Sequence, residues 1–280
     1  MSKANGMGST RDELAGIDDA ISRALVDARA SASPLDGFPG ETPESMAHAY
    51  AIQAASIERW PDTVGGWKVG MLSPQDQNRY SAERLTGPIF RSQIHEVSPG
   101  ASIVMPIFVG GFAAIEAEFV FKLGETIDAS NRECLASDLV DWVAGLYVGA
   151  EIASSPMEAI NRLGPTVVAA DFGNNAGLVL GPEIPNWRSR DPADLSAKVI
   201  VDGTVVGEAS AAAIPGGPLA ALQFAVSTAS ARDIELPAGT LISTGAATGI
   251  HDVQTNSGSR IEFGEHGAFD VAFEPMRSGQ

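Results

Sequence analysis

Two hydrophobic rhythms divide the chain. From Asp12 to Ala30, Leu14, Ile17, Ile21 and Leu25 recur at spacings of three and four, which predicts an amphipathic helix. Ser33 to Gly40 holds two prolines and two glycines and reads as a loop. A second helix is expected after Thr42, where Thr42-Pro43-Glu44 offers a cap and a proline suited to a first turn. It runs through Tyr50, Ile52 and Ile57 to about Trp60. Beyond Gly65 the period shortens. Gly66 to Gly70, Ile103 to Pro106, Gly111 to Leu123 and Leu241 to Thr244 read as strands, and Thr166 to Ala170 and Leu178 to Leu180 as extended. Asp202-Gly203 marks a two-residue hairpin turn within Ala197 to Ala209, and Arg260–Phe263 and Phe269–Phe273 form a closing pair. Leu139, Val143 and Leu146 give Leu135 to Val148 a helical spacing, and Leu219 to Ala231 reads as another helix. Pro74 to Tyr80 is polar, a helical turn or a loop. The small, polar start, Met1 to Thr10, is expected to be disordered. The sum is an α+β chain: a small helical N-terminal part over 1–64, then a β-rich domain over 65–280.

Composition changes this picture only by exclusion. The 280 residues, 44% hydrophobic and 19% charged, suit a globular protein with a sizeable core. A formal charge of −17 argues against nucleic acid or anionic lipid as partner, both of which need clustered Lys and Arg. No run nears the roughly 18 apolar residues of a membrane span, and the start lacks a basic-then-apolar pattern, so the expectation is a cytoplasmic protein. Cys134 is the single cysteine, which rules out an internal disulfide and a cysteine zinc cluster; it reads as a small hydrophobe. His48, His95, His251 and His266 are scattered and read as surface or loop residues. Neither a Gly-x-Gly-x-x-Gly fingerprint after a strand, a Walker loop nor a Gly-x-Ser-x-Gly elbow is present.

The candidate chemistry centres on Ile115-Glu116-Ala117-Glu118-Phe119. On a strand both glutamates project from one face. If that face is dry, two carboxylates resist desolvation and repel each other, and a hard divalent cation relieves both penalties. Glu151, among Val148, Gly149, Ala150, Ile152 and Ala153, is the third candidate ligand. The plainer alternative is the wet face of a half-exposed sheet. Lys68 stands between Trp67 and Val69, where a partly desolvated ammonium either pairs with a carboxylate or loses its proton; alternatively its stem lies on apolar surface with its head in water. Asp171 and Asn175 sit in a glycine-bearing turn, where Asx hydrogen bonding is the simpler account. The loop Thr244 to Gly249, with Thr244 and Gly245 first, offers hydroxyls and backbone N–H groups to a carboxylate, or is a plain turn.

Taken in order, Gly66-Trp67-Lys68-Val69-Gly70, Ile115-Glu116-Ala117-Glu118-Phe119, Ala150-Glu151-Ile152, Ala170-Asp171, Asn175-Ala176-Gly177, Val201-Asp202-Gly203 and Leu241-Ile242-Ser243-Thr244-Gly245 carry a resemblance. The chain from about Gly65 onward resembles the 2-keto-4-pentenoate hydratase and 4-oxalocrotonate decarboxylase family, within the fumarylacetoacetate hydrolase superfamily. That resemblance implies the superfamily's twisted β-rich core with flanking helices, and Mg²⁺ or Mn²⁺ held by Glu116, Glu118 and Glu151. It implies Lys68 as an acid/base or water-orienting group and a homo-oligomer. Two stretches depart from the family pattern. Where many hydratases carry a Gly-Val-Asp-x-Pro-Asp-like segment, this chain has Ser81 to Pro88; the later aspartate is missing, with Thr86 near its place. Either Glu83 substitutes or the proton chemistry differs. The usual Ala-Asp-Asn-Ala-Ser stretch is altered to Ala170 to Gly177. The implied function is hydration of a 2-hydroxydienoate or 2-oxo-enoate such as 2-keto-4-pentenoate, with Lys68 and Glu83 managing protons, Asp171 and Asn175 supporting the metal ligands or orienting water, and Asp171, Asn175, Thr244 and Gly245 as the substrate-binding candidates. Decarboxylation of a 2-oxo diacid, carbon–carbon hydrolysis of an acylpyruvate, or service as a non-catalytic partner of a related enzyme are the alternatives.

Overall fold

The computed structural model describes residues 6–129 and 136–279. The helical rhythm becomes α1 (Gly6–Ser31) and α2 (Met46–Arg59). Helix α1 already covers Gly6 to Thr10, which the polar composition had marked as disordered; Met1 to Asn5 lie outside the described residues. Ile21 and Leu25 are buried while Ile17 is exposed. Helix α2 is capped by Ser45, whose Oγ accepts from the His48 N–H (3.2 Å), three residues after the cap expected at Thr42.

The elements that follow are β1 (Val64–Met71), α3 (Pro74–Tyr80), β2 (Arg84–Phe90), β3 (Ile94–Glu96), β4 (Ser102–Ile107) and β5 (Phe112–Leu123). Next come α4 (Ala136–Leu139), β6 (Val143–Ser155), α5 (Ile160–Leu163), α6 (Pro165–Ala170) and β7 (Asn175–Glu183). The remainder is β8 (Ser196–Val201), β9 (Thr204–Ser210), α7 (Gly217–Ala231), β10 (Leu241–Ser243), β11 (His251–Asp252), β12 (Gly258–Glu262) and β13 (Ala268–Pro275). The larger sheet runs β2-β1-β10-β5-β6-β7-β3, with β11 also on β5; the smaller runs β4-β13-β12-β8-β9. Both are mixed: in the larger, β1 lies parallel to β10 and β5 antiparallel to β6; in the smaller, β13 lies parallel to β4 and antiparallel to β12.

Two further expectations about elements are corrected. The helix expected to run to Val148 ends by Trp142, and from Val143 the chain is strand. Leu146, Val148, Ala150 and Ile152 are buried at period two while Gly149 and Glu151 are buried on the other face, and a strand dry on both sides lacks the alternation that identifies it. Thr166 to Ala170 is a helical turn, not extended: Pro165 occupies its first turn, and the whole segment is buried. The hairpin stands as expected, with Asp202 (φ 48°) and Gly203 (φ 79°) both in the left-handed region that a twisted two-residue turn requires. His266 is buried rather than on the surface, and Cys134 lies outside the described residues. No helix among the described residues is long and apolar enough to cross a membrane.

The main core lies on one face of the larger sheet. Ile115, Ala117, Phe119 and Phe121 of β5 pack there with α7 and the smaller sheet, Phe119 meeting Phe263 edge-on at 5.7 Å between centroids. Burial of Ile115, Phe119 and Phe121 contributes about 1.5–3 kcal/mol each. A second cluster joins Ile21 and Leu25 of α1, Ala49 and Ile52 of α2, Leu85 of β2 and residues 167–170 of α6. The chain leaving α6 then passes so close to β2 that a Cβ on Gly87 would stand 2.2 Å from the Phe172 carbonyl oxygen. This approach brings residues 172–174 over the face that carries the site.

Candidate metal centre

Side chains alternate along β5, so Glu116 and Glu118 point away from Ile115, Ala117 and Phe119. The antiparallel register sets Glu151 of β6 directly across from Glu116. All three are buried, and one carboxylate oxygen from each falls within 4.8 Å of the other two. Lys68 reaches the same place from β1 across β10: Lys68 pairs with Ser243, and Ser243 with Val120 of β5. Its ammonium lies 3.2 Å from Glu151 Oε2 and donates to Asn174 Oδ1 at 3.5 Å.

Hydrogen bonds hold the carboxylates from behind. Ser243 Oγ–H and the Gly245 N–H (3.1 Å) both donate to Glu118 Oε2, and Asn175 Nδ2 donates to Glu151 Oε1 at 2.9 Å. Glu118 Oε1 is buried with no hydrogen-bond partner. Burial, followed by repulsion from Glu151, pushes the Glu116 carboxyl from 4.5 up to about 7 despite Lys68. Burial and the two neighbouring glutamates raise Glu118 well above the usual carboxylate range. For Lys68, burial acts to release the proton, but Glu151, Glu116 and Glu118 together outweigh it and hold the ammonium charged. Fully ionised, three carboxylates and one ammonium sum to −2. An all-oxygen donor set with that residual charge and an orphaned buried oxygen fits a hard divalent cation such as Mg²⁺ or Mn²⁺.

Lys68 and Glu116 of this group open into a cavity of about 360 Å³. Lys68, Glu116, Asn174, Thr244 and Gly245 line its polar end. The other expected site residues lie elsewhere. Glu83, expected to carry protons beside Lys68, is 74% exposed, pairs with its neighbour Arg84 and does not line the cavity. Asp171 is buried behind the site: its carboxylate accepts from Arg29 Nε (2.5 Å) and Ser155 Oγ (2.6 Å), and it does not line the cavity. Asn175 acts on Glu151 rather than on the cavity. Thr244 lines the cavity, but its hydroxyl donates to the Phe119 carbonyl (2.7 Å). Sequence reasoning missed Asn174, Ser243 and Arg29. Asn174 adopts a left-handed φ of 55°, which asparagine tolerates better than most residues, and that was its one sequence signal in a glycine-bearing turn.

The family description "Fumarylacetoacetate (FAA) hydrolase C-terminal" matches residues 76–271. A 2-keto-4-pentenoate hydratase from Paraburkholderia xenovorans is 27% identical over 233 residues, covering 80% of this chain and 82% of that protein. A 4-oxalocrotonate decarboxylase from Pseudomonas sp. is 28% identical over 234 residues, covering 81% and 87%. Among solved structures, 4-oxalocrotonate decarboxylase from Pseudomonas putida G7, complexed with magnesium and adipate, superposes with a TM-score of 0.77 at 21% identity, covering 94% of this chain and 98% of that one.

Proposed function

This chain belongs to the fumarylacetoacetate hydrolase family, and we propose that it is a divalent-metal-dependent lyase of a small 2-oxo acid, hydrating a 2-oxo-enoate or its 2-hydroxydienoate tautomer. The observation that carries the proposal is the convergence of Glu116, Glu118 and Glu151 within 4.8 Å, beside Lys68, at the floor of a cavity sized for a small acid. When bound, Mg²⁺ or Mn²⁺ would supply Lewis acidity toward a 2-oxo acid. Glu116, Glu118 and Glu151 would hold the ion, and Ser243, the Gly245 N–H and Asn175 fix the orientation of Glu118 and Glu151. Lys68 presents a charged ammonium to the cavity, placed to donate a proton to carbon or to stabilise charge that develops on the substrate oxygen. Apolar walls around Leu72, Leu85 and Val168 shield the reacting carbons from bulk water.

Metal-dependent decarboxylation of a 2-oxo diacid is the second reading. The position of Glu83 outside the cavity favours it, because the loss of CO₂ needs an electron sink and one proton donor, without a second group to activate water. Product analysis separates the two, one consuming water and the other releasing CO₂. For either, Glu116→Gln abolishes metal-dependent turnover and leaves the fold intact; full activity in excess chelator overturns the proposal.

A further inference from the structure

A second cavity, of about 750 Å³, is lined by residues of α2 and α7. Along α2, Ile52 and Gln53 are buried, while Ala47, Ala51 and Ala54, at spacings of four and three, are exposed and line the cavity. Along α7, Ala225, Val226 and Ala229 are buried, and Thr228 and Ala231 line it. Arg232, the residue that ends α7, belongs to the same wall. Its guanidinium carbon lies 4.4 Å from the centre of the Tyr50 ring and 5.4 Å from that of Trp67, and its Nη2 is buried with no hydrogen-bond partner. Burial pulls the group down to about 10, which leaves it charged at neutral pH. The ring faces offset only part of the cost of desolvating that charge. Among the described residues no carboxylate pairs with it. Glu83 is taken up by Arg84, which borders both this cavity and that of the metal centre. Glu58 and Glu235, on a smaller cavity that Arg232 also borders, are exposed. In a chain with 35 acids against 18 Lys and Arg, this largely desolvated cation stands without a counter-charge.

We infer that the cavity between α2 and α7 binds a small amphipathic monocarboxylic acid, its carboxylate on Arg232 and its apolar chain along the alanine face of α2. The site is separate from the glutamates, because Trp67 and Lys68 project from opposite faces of β1, and it does not depend on the chemistry proposed there. Stacking on rings occupies the faces of a guanidinium and leaves its edge, where the N–H groups donate, free for two parallel bonds to a carboxylate. One cation in a chain of net charge −17 suits a monoanion better than a phosphate. Met46, Phe224 and Ile234 add apolar wall for the chain. Its length is bounded by α2: from Met46 to Ala54 the helix rises about 12 Å, and an eight-carbon acid reaches at most about 10 Å.

The test is titration calorimetry of the Mg²⁺-loaded protein with octanoate and octanamide, equal in chain length and differing in charge. The wild type is expected to bind the acid at least about tenfold more tightly than the amide, equivalent to about 1.4 kcal/mol. Arg232→Gln removes that preference. Ala51→Trp, at an exposed position of α2, narrows the cavity and weakens acid and amide alike. The preference for octanoate stays the same in excess chelator, which separates this site from the metal centre. Equal affinities in the wild type, or no binding of either compound, overturn the inference without any variant having to fold. A preference that survives Arg232→Gln, octanoate binding untouched by Ala51→Trp, or binding that vanishes with the metal overturns it as well. The last outcome would place octanoate on the glutamates and leave the reading of that site standing.

Discussion

Glu118 keeps one carboxylate oxygen between two donors, Ser243 and the Gly245 N–H, and leaves the other with none. Such an acid is costly in the free protein and well prepared for a cation, because the first oxygen is already oriented and the second lacks a partner to give up. In the proposed chemistry Lys68 differs from the glutamates, supplying charge and a proton without being a ligand. Substituting the two kinds of residue therefore separates their roles. Lys68→Met removes the ammonium that competes with a metal for Glu151, so Mg²⁺ or Mn²⁺ affinity is retained or rises, while turnover falls on the order of 100-fold or more, as for loss of a positioned proton donor. Glu116→Gln lowers both. Metal titration beside steady-state rates checks the pair of outcomes; a Lys68→Met protein that loses its metal would make the lysine part of the ligand shell.

At the scale of elements, α1 is fastened to the site by Arg29. Its guanidinium bonds Asp171 through Nε, the Asn175 carbonyl at 2.9 Å and the Ser154 carbonyl at 3.3 Å, between the rings of Phe108 and Phe172. This one side chain ties the N-terminal helix to the turn that delivers Asn174 to Lys68 and Asn175 to Glu151. Arg29→Met leaves the Asp171 carboxylate buried without its cation and is expected to destabilise the protein by about 3–5 kcal/mol in denaturant titration. Asp171→Asn in the same chain recovers part of the loss, and hydrogen exchange accelerates over residues 171–175. A change of under about 1 kcal/mol would mean that the pair does not hold the turn. Nothing local in α1 announced this clamp, because its partner lies 142 residues away. The same distance explains which parts of the site were legible. Glu116 and Glu118 share a face by strand period alone, so their projection could be read directly. The pairing of Glu116 with Glu151 depends on the β5–β6 register, which is set by apolar residues buried on both faces of β6 and leaves no alternating pattern to read. Glu83 follows the lysine motif in sequence, but it stands in solvent just before β2, whose first residues Arg84 and Leu85 are buried on opposite faces.

For the molecule as a whole, the site places negative charge at the middle of a sheet in a chain of net charge −17. Strand β5 is flanked by β10 and β11 on one side and β6 on the other, so its acids cannot relax into solvent without breaking the sheet. This links metal, protons and stability. In chelator, the raised folded-state values of Glu116 and Glu118 mean that the folded protein binds more protons than the unfolded chain from about pH 4.5 to about 7 and above. Stability therefore falls as pH rises through that window. Lys68, raised in the folded state, contributes stability that is lost only at pH above its ordinary 10.5 and does not enter here. His251 and His266, lowered mainly by burial, act in the opposite direction, their stability being lost as pH falls below 6.5. The comparison that isolates the carboxylates is thus wild type against Glu118→Gln. Between pH 5.5 and 7.5 in chelator the wild type should lose more stability than the variant. Millimolar Mg²⁺ should restore the wild type more at pH 7.5 than at 5.5, because protons compete with the ion for the same oxygens. Equal pH slopes in the two proteins, or stronger metal stabilisation at pH 5.5, would show that the three acids do not act together on one cation.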